Sequence, residues 1–253
     1  MPSHSYAKEY RTFFYNLKRF GFSLSKEEIK QIIITVVMIG FVWSFNKWGG
    51  ETFNFLEGIK NFGLGCLMAL ICTVFNQVGQ RVVAVYYGYD PVYEYGIIGL
   101  MIALVVTFAS RGYLLFFLPG AINIRHLTAS RLGEFRYYTN DWEWAKAGFM
   151  GPFFNVILLL LLSPFKSNPF VMQLMVLSLL FAIYSLIPLP GNVGLYLFYP
   201  HIYFWTFTLA FVVVASAIGF FLSPIIALLA GLLFGAIAMF WHYDKVDKRI
   251  GEF

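Results

Sequence analysis

Charged residues are scarce in this sequence of 253 residues. Only 12% are Asp, Glu, Lys or Arg, about half the share of a typical soluble domain, and none lies between Lys166 and Asp244. Hydrophobic residues make up 59%, and a soluble fold of this size would leave large apolar patches exposed. The composition therefore excludes a soluble enzyme, a nucleic-acid-binding domain and a disordered chain. It predicts a multi-pass protein of the cell membrane that contacts membrane lipids and no nucleic acid.

Cysteine and recognisable metal-site patterns are nearly missing. The two cysteines, Cys66 and Cys72, lie in one apolar run. A disulfide framework and a thiolate zinc site both need more cysteines at characteristic spacings, so we interpret these two as buried thiols. The four histidines, His4, His126, His201 and His242, are not spaced for a shared metal. Residues 1–28 also lack the apolar core of a secretory signal peptide.

Apolar segments dominate the rest of the chain and predict an all-α polytopic membrane protein. A membrane-spanning helix needs about 20 mainly apolar residues. We predict six transmembrane helices, with eight as the alternative, because the region 95–122 is long enough for one span or two. The predicted apolar segments are 29–45, 62–89, 95–109, 113–122, 147–165, 170–188, 203–222 and 225–241, and 49–61 is a predicted loop.

Basic residues near both ends of the chain predict its orientation. Residues 1–28 mix Lys and Arg with aromatics, which is typical of an interfacial helix on an anionic membrane face, with a plain cytosolic tail as the alternative. Ser25 to Glu28 has the spacing of a capping box. Residues 29–243 are the predicted membrane domain and 244–253 a tail, with both termini in the cytoplasm. A basic region around 123–146 is predicted to form a small β-hairpin or surface loop on the same side.

The second apolar segment contains an unusual polar stripe. On a helix Asn76 and Gln80 face the same way, and Gln77 and Arg81 form a second such pair. Polar groups inside a membrane are costly and are functional candidates by default; the alternative is amides that hydrogen-bond between helices and stabilise their packing. The spacing at 76–80 is that of H-E-x-x-H, in which two metal ligands lie one turn apart and a glutamate follows the first.

Two later segments extend this pattern. Gly151-Pro152-Phe153-Phe154-Asn155 is expected to open an apolar helix, and Pro190-Gly191-Asn192-Val193-Gly194 follows another apolar segment. With N-Q-V-G-Q at 76–80, the chain resembles the site-2 protease family of intramembrane zinc metalloproteases over about residues 62–198. That family carries H-E-x-x-H in one membrane helix, G-P-x-x-N at the start of a later one, and a Pro-rich L-D-G motif with a third ligand. The segment 118–122, L-P-G-A-I, is similar to one in archaeal-type members, which implies a prokaryotic source.

The resemblance implies that every zinc-binding and catalytic position is replaced. Asn76 and Gln80 stand where the family has histidines, and Gln77 stands where it has the catalytic glutamate. Val193, or Asn192 in a shifted register, stands where it has the aspartate. Carboxamides are poor zinc ligands, no metal would acidify a water, and no general base remains. We therefore expect a pseudoprotease with no catalytic residue, no bound zinc and no other cofactor.

If no catalytic residue remains, the resemblance still implies a binding function. Asn155 matches an asparagine that is thought to bind substrate backbone in the family. Gly151 and Pro152 are expected to break the helix beside a cavity, and Arg81 completes the candidate substrate-binding set. We expect the chain to bind a transmembrane segment of another membrane protein, or to act as a subunit or scaffold of a membrane complex.

Two other functions are compatible with the same residues. One is an active intramembrane metalloprotease with an unusual site. The other is a small-solute transporter or channel lined by Asn76, Gln80, Arg81 and Asn155. Asp90 and Glu94 follow the polar helix and are candidate partners of Arg81 or Arg111, with the capping of a loop as the alternative.

Overall fold

The computed structural model describes residues 11–49, 52–126 and 140–250, which are mainly helical. Helix α1 covers residues 11–16 and passes into a π-helical turn, Leu17–Gly21. The other helices are α2 (Lys26–Ser44), α3 (Phe55–Tyr86), α4 (Ile97–Ala109), α5 (Asp141–Leu162), α6 (Pro169–Ser185), α7 (Val193–Phe198), α8 (Ile202–Gly219) and α9 (Pro224–Ile250). The strands are β1 (Tyr89–Glu94) and β2 (Ala121–His126).

Among the described residues, four helices are long and apolar enough to cross a membrane. They are Phe55–Tyr86, Asp141–Phe165, Ile202–Gly219 and Pro224–Val246. The predicted class, an all-α membrane protein, is therefore supported. The predicted number of six or eight spans is not, because four helices of the described residues meet the length and hydropathy criteria. The helix over Ile97–Ala109 has 13 residues and rises only about 20 Å, so the predicted third segment is too short to span the bilayer.

Short polar side chains begin several of the helices. The predicted capping box at Ser25 is confirmed, since its hydroxyl accepts from the Glu28 N–H at 3.1 Å and the Glu28 carboxylate accepts from the Ser25 N–H at 3.0 Å. The Asn54 side-chain oxygen caps α3 by accepting from the Glu57 N–H at 3.3 Å, so the prediction of a loop over 49–61 is wrong from residue 55 onwards. Asn140 caps α5 by accepting from the Trp142 N–H. The first turns of both helices mix charged and apolar residues, which a search for apolar runs misses.

The sheet is not the local hairpin that the sequence predicted. Strand β1 pairs antiparallel with β2, in a register from Tyr89 opposite His126 to Glu94 opposite Ala121. Helix α4 therefore lies between the two strands in sequence. Residues 141–146 of the predicted hairpin belong to α5, and 127–139 lie outside the described residues. Side chains along β1 alternate between buried and less buried positions. This alternation is hard to recognise in the sequence because the strand directly follows an apolar helix.

Helix α3 lies at the centre of the fold. It packs against α2 and against α5, α6 contacts α5, and α9 packs along α8. One apolar core joins α2, α3 and α6 and includes Ile39, Cys72 and Phe181. A second joins α5, α6 and α8 and includes Leu159 and Phe211. Both cysteines are free thiols; Cys72 is fully buried, as predicted, and Cys66 is partly exposed.

Candidate functional site

The polar stripe of α3 divides into two faces. On the first face Gln80 Nε2 donates a hydrogen bond of 2.7 Å to Asn76 Oδ1. The other oxygen of this pair, Gln80 Oε1, accepts from the Ile122 N–H of β2 at 3.3 Å. Both side chains are buried. The predicted pairing of residues four apart is thus present, and it joins the helix to the sheet.

Helix α5 approaches this face very closely. A Cβ at position 151 would lie 2.2 Å from Gln80 Nε2, and a Cβ at position 79 would lie 2.6 Å from the Met150 carbonyl oxygen. Glycine is therefore required on both helices for them to meet at the amide pair. The predicted helix break does not occur, because α5 begins at Asp141 and continues through Pro152.

The second face carries Arg81 in a buried ion pair. Arg81 Nη2 lies 2.6 Å from Glu28 Oε1 at the start of α2, and both side chains are at least 95% buried. The same carboxylate oxygen accepts from the Tyr93 N–H of β1 at 2.8 Å. The expected partner Glu94 instead pairs with Arg125 at 3.4 Å on the surface. The sequence shows Glu28 as a capping residue but gives no sign that it reaches Arg81.

The remaining donors of Arg81 are also engaged. Nη1 donates to the carbonyl oxygens of Gly21 at 3.0 Å and Pro91 at 3.3 Å, and Nε donates to Gln77 Oε1 at 3.4 Å. Arg81 thus ties the π-helical turn, α2 and β1 to α3. This placement favours a structural role for a residue that the sequence put among the substrate-binding candidates.

Both oxygens of the Glu28 carboxylate are engaged. Oε1 pairs with Arg81 and accepts from the Tyr93 N–H, and Oε2 accepts from the Ser25 N–H at 3.0 Å. Asp90 lies near the pair. Burial and the charge of Glu28 raise the pKa of Asp90, against the opposing effect of Arg125 and Arg81.

Two amide groups of the stripe have donors without a partner. Asn76 Nδ2 and Gln77 Nε2 are buried and form no hydrogen bond with any residue that the structure describes. Gln77 lines a cavity of about 120 Å³, together with Gly21, Phe22, Leu24, Ile32, Val74, Val78 and Arg81. A buried donor without an acceptor is unfavourable, so this cavity has an unused capacity to bind an acceptor.

The segment around Val193 packs against α5 close to the stripe. A Cβ at position 148 would lie 2.9 Å from Val193 Cγ1, one turn before Gly151. Asn192 is buried, and its Nδ2 donates to the carbonyls of Tyr184 at 2.7 Å and Ile187 at 2.9 Å, while its Oδ1 has no partner among the described residues. Asn192 therefore holds the turn before α7.

Asn155 is enclosed between α5 and α6. Its backbone carbonyl accepts from Ser178 Oγ at 2.8 Å, and its Nδ2 makes a long contact of 3.5 Å to the Gly151 carbonyl oxygen. Asn155 does not line the cavity at Gln77. The structure thus places Gly151 against the amide pair, Asn155 one turn further along α5, and Arg81 on the opposite face of α3.

The side chains of this site do not fit zinc. The stripe offers amide nitrogens and oxygens, whereas zinc prefers imidazole, thiolate and carboxylate ligands. No group of three or more His, Cys, Asp or Glu side chains suited to a metal occurs within residues 11–49, 52–126 and 140–250. His201 packs on the Trp142 ring and His242 contacts Thr206, while His4 lies outside the described residues.

Comparison of the chain with protein-family models, with curated proteins and with solved structures gave no match. The resemblance to the site-2 proteases therefore rests on three motifs and on their order in the sequence. It remains a hypothesis about the origin of the amide pair and of the glycines that pack against it.

Proposed function

We propose that the protein is a non-catalytic relative of the site-2 proteases that binds transmembrane segments of other membrane proteins, alone or as a subunit or scaffold of a complex. One observation carries the proposal. Gln77, at the position of the family's catalytic glutamate, is buried, has an unpartnered Nε2–H group and lines a cavity beside the N-terminal segment. An amide is not a general base at neutral pH, but it can donate a hydrogen bond.

The cavity suits a partner inside the membrane. Most of its walls are apolar, and Phe22, Leu24 and Val74 are also about half exposed on the protein surface. Apolar walls limit the access of water to the amide, so a partner that supplies an acceptor is favoured. A transmembrane helix offers such acceptors as Ser or Thr hydroxyls, or as a backbone carbonyl released by a proline.

Six spans with both termini in the cytoplasm are part of this proposal. Helix α2 has 19 residues and α6 has 17, so they rise about 28 Å and 26 Å, close to the roughly 30 Å of the hydrocarbon core. These two helices and the four that are apolar and long enough to cross a membrane would make six spans. An even number keeps the basic residues at both ends of the chain on one side, as the positive-inside rule favours.

Replacing Gln77 with methionine should weaken the binding of a designed single-span peptide. The probe is a Leu/Ala-rich segment of about 20 residues with one serine near its cytoplasmic end, labelled for energy transfer to the protein in liposomes. Because interhelical hydrogen bonds contribute about 0.6 kcal/mol and at most about 1.7, Gln77→Met should raise the Kd between about three-fold and about twenty-fold.

Gln173→Met is the matched control for this measurement. Gln173 is an exposed amide on α6 whose Oε1 accepts from Lys47 Nζ at 3.4 Å, so its loss should leave the Kd unchanged. A peptide with alanine in place of the serine should bind the parent protein and Gln77→Met alike. Equal binding of the serine peptide to the parent and to Gln77→Met would contradict the proposal.

Metal content separates this proposal from the alternative of an unusual metalloprotease. The purified protein, dialysed without chelator and analysed by mass spectrometry, should contain far less than one zinc per chain because amides bind zinc weakly. A stoichiometric transition metal that Asn76→Leu removes would favour the enzyme. A metal that persists in that variant would lie elsewhere in the chain.

A further inference from the structure

A larger cavity lies away from the amide pair, at the start of α5. Its volume is about 400 Å³, within the usual range for small-molecule sites. It is lined by Asp141, Trp144, Leu195, Tyr196, Tyr199 and Pro200. None of these residues belongs to the motifs that resemble the site-2 proteases, and the proposed function does not use them.

Aromatic rings form much of the wall of this cavity. The rings of Trp144 and Tyr196 are stacked, with centroids 4.2 Å apart and planes 17° apart. Tyr199 is 84% exposed, so its ring is free to cover a ligand. The faces of such rings carry negative electrostatic potential and attract cations, most strongly at tryptophan.

The charge at the cavity is also negative. Asp141 is exposed and forms no ion pair with the described residues. Asp141 and Glu143 both lie in the first turn of α5, and their two charges exceed the roughly +0.5 charge of a helix N-terminus. Glu94 adds no uncompensated charge there, because Arg125 pairs with it at 3.4 Å. The nearest cation on α5, Lys146, lies over the rings of Tyr87 and Trp142.

We propose that this cavity binds an organic ammonium group, held between the aromatic rings and the Asp141 carboxylate. Apolar walls favour an alkylated ammonium over a hydrated metal ion, because the methyl groups pack against the rings while the charge stays diffuse. The ammonium group belongs either to a phospholipid headgroup or to a soluble molecule. This inference does not depend on the function proposed for Gln77, so either one can fail alone.

Choline and dimethylbutanol, the neutral analogue in which carbon replaces the nitrogen, test the inference in a maltoside detergent. Choline should bind at least about ten-fold more tightly than the analogue by calorimetry or saturation-transfer NMR. Asp141→Asn should weaken choline binding about five-fold, since Asn140 still caps the helix and only the charge is lost. Tyr199→Leu should weaken it by a similar factor.

Matched surface variants serve as controls. Glu57→Gln removes another exposed first-turn carboxylate, and Tyr113→Leu removes a tyrosine that is 85% exposed; neither should change choline binding. If lysophosphatidylcholine binds more tightly than choline and also responds to Asp141→Asn, the lipid headgroup is the source; tighter binding of free choline indicates a soluble ligand. Equal binding of choline and dimethylbutanol, no choline binding, or unchanged binding to Asp141→Asn would each overturn the inference.

Discussion

Replacing Glu28 with glutamine should destabilise the fold by about 3–5 kcal/mol, because the change leaves the buried guanidinium of Arg81 without a counter-charge. Glutamine retains an oxygen for the Tyr93 N–H, so the loss falls on the ion pair and not on the sheet contact. The effect should appear as a lower free energy of unfolding in a denaturing-detergent titration of the purified protein.

Glu27→Gln is the matched control on the neighbouring residue. Glu27 lies 3.9 Å from Lys30 and is 77% exposed at its side chain, so its loss should change stability by less than about 1 kcal/mol. A Glu28→Gln protein as stable as Glu27→Gln would show that the Arg81 guanidinium finds other compensation. The double variant Glu28→Leu with Arg81→Leu should be more stable than Glu28→Gln, because it removes both charges.

Replacing Gly79 with alanine should destabilise the protein by about 1–3 kcal/mol through overpacking. The added Cβ would lie 2.6 Å from the Met150 carbonyl oxygen and 2.6 Å from the Phe154 ring. The Phe154 ring can adopt another rotamer, but the Met150 backbone oxygen can move only if α5 shifts. The two helices must then separate where the Asn76 and Gln80 amides meet Gly151.

Gly63→Ala is the control on the same helix. A Cβ at position 63 meets nothing within 4 Å, and alanine is favoured over glycine in a helix by about 1 kcal/mol. Thermal unfolding in one detergent should therefore place Gly63→Ala at or above the parent and Gly79→Ala below it. If both variants unfolded with the parent, the close approach of α3 and α5 would be refuted.

The local features of this chain follow from its sequence. Residues four apart share a helix face, so the pairs Asn76 with Gln80 and Gln77 with Arg81 could be predicted, and both appear as hydrogen bonds. The capping box at Ser25 and the apolar, membrane-type helices follow in the same way. Each depends on neighbours within about one turn, where chain geometry determines the contact.

Contacts between distant segments were decided by the tertiary structure alone. Glu28 and Arg81 are 53 positions apart, and a local pattern cannot select Glu28 over Asp90 or Glu94 as the partner. Strand β1 pairs with β2, which follows α4 in the sequence. The cavity at Gln77 is lined in part by Gly21 and Phe22, which lie far from Gln77 in the sequence. The sequence determined which side chains are buried away from lipid and water. Packing determined which of these buried groups contact each other, because many pairings would be favourable and only the three-dimensional structure distinguishes between them.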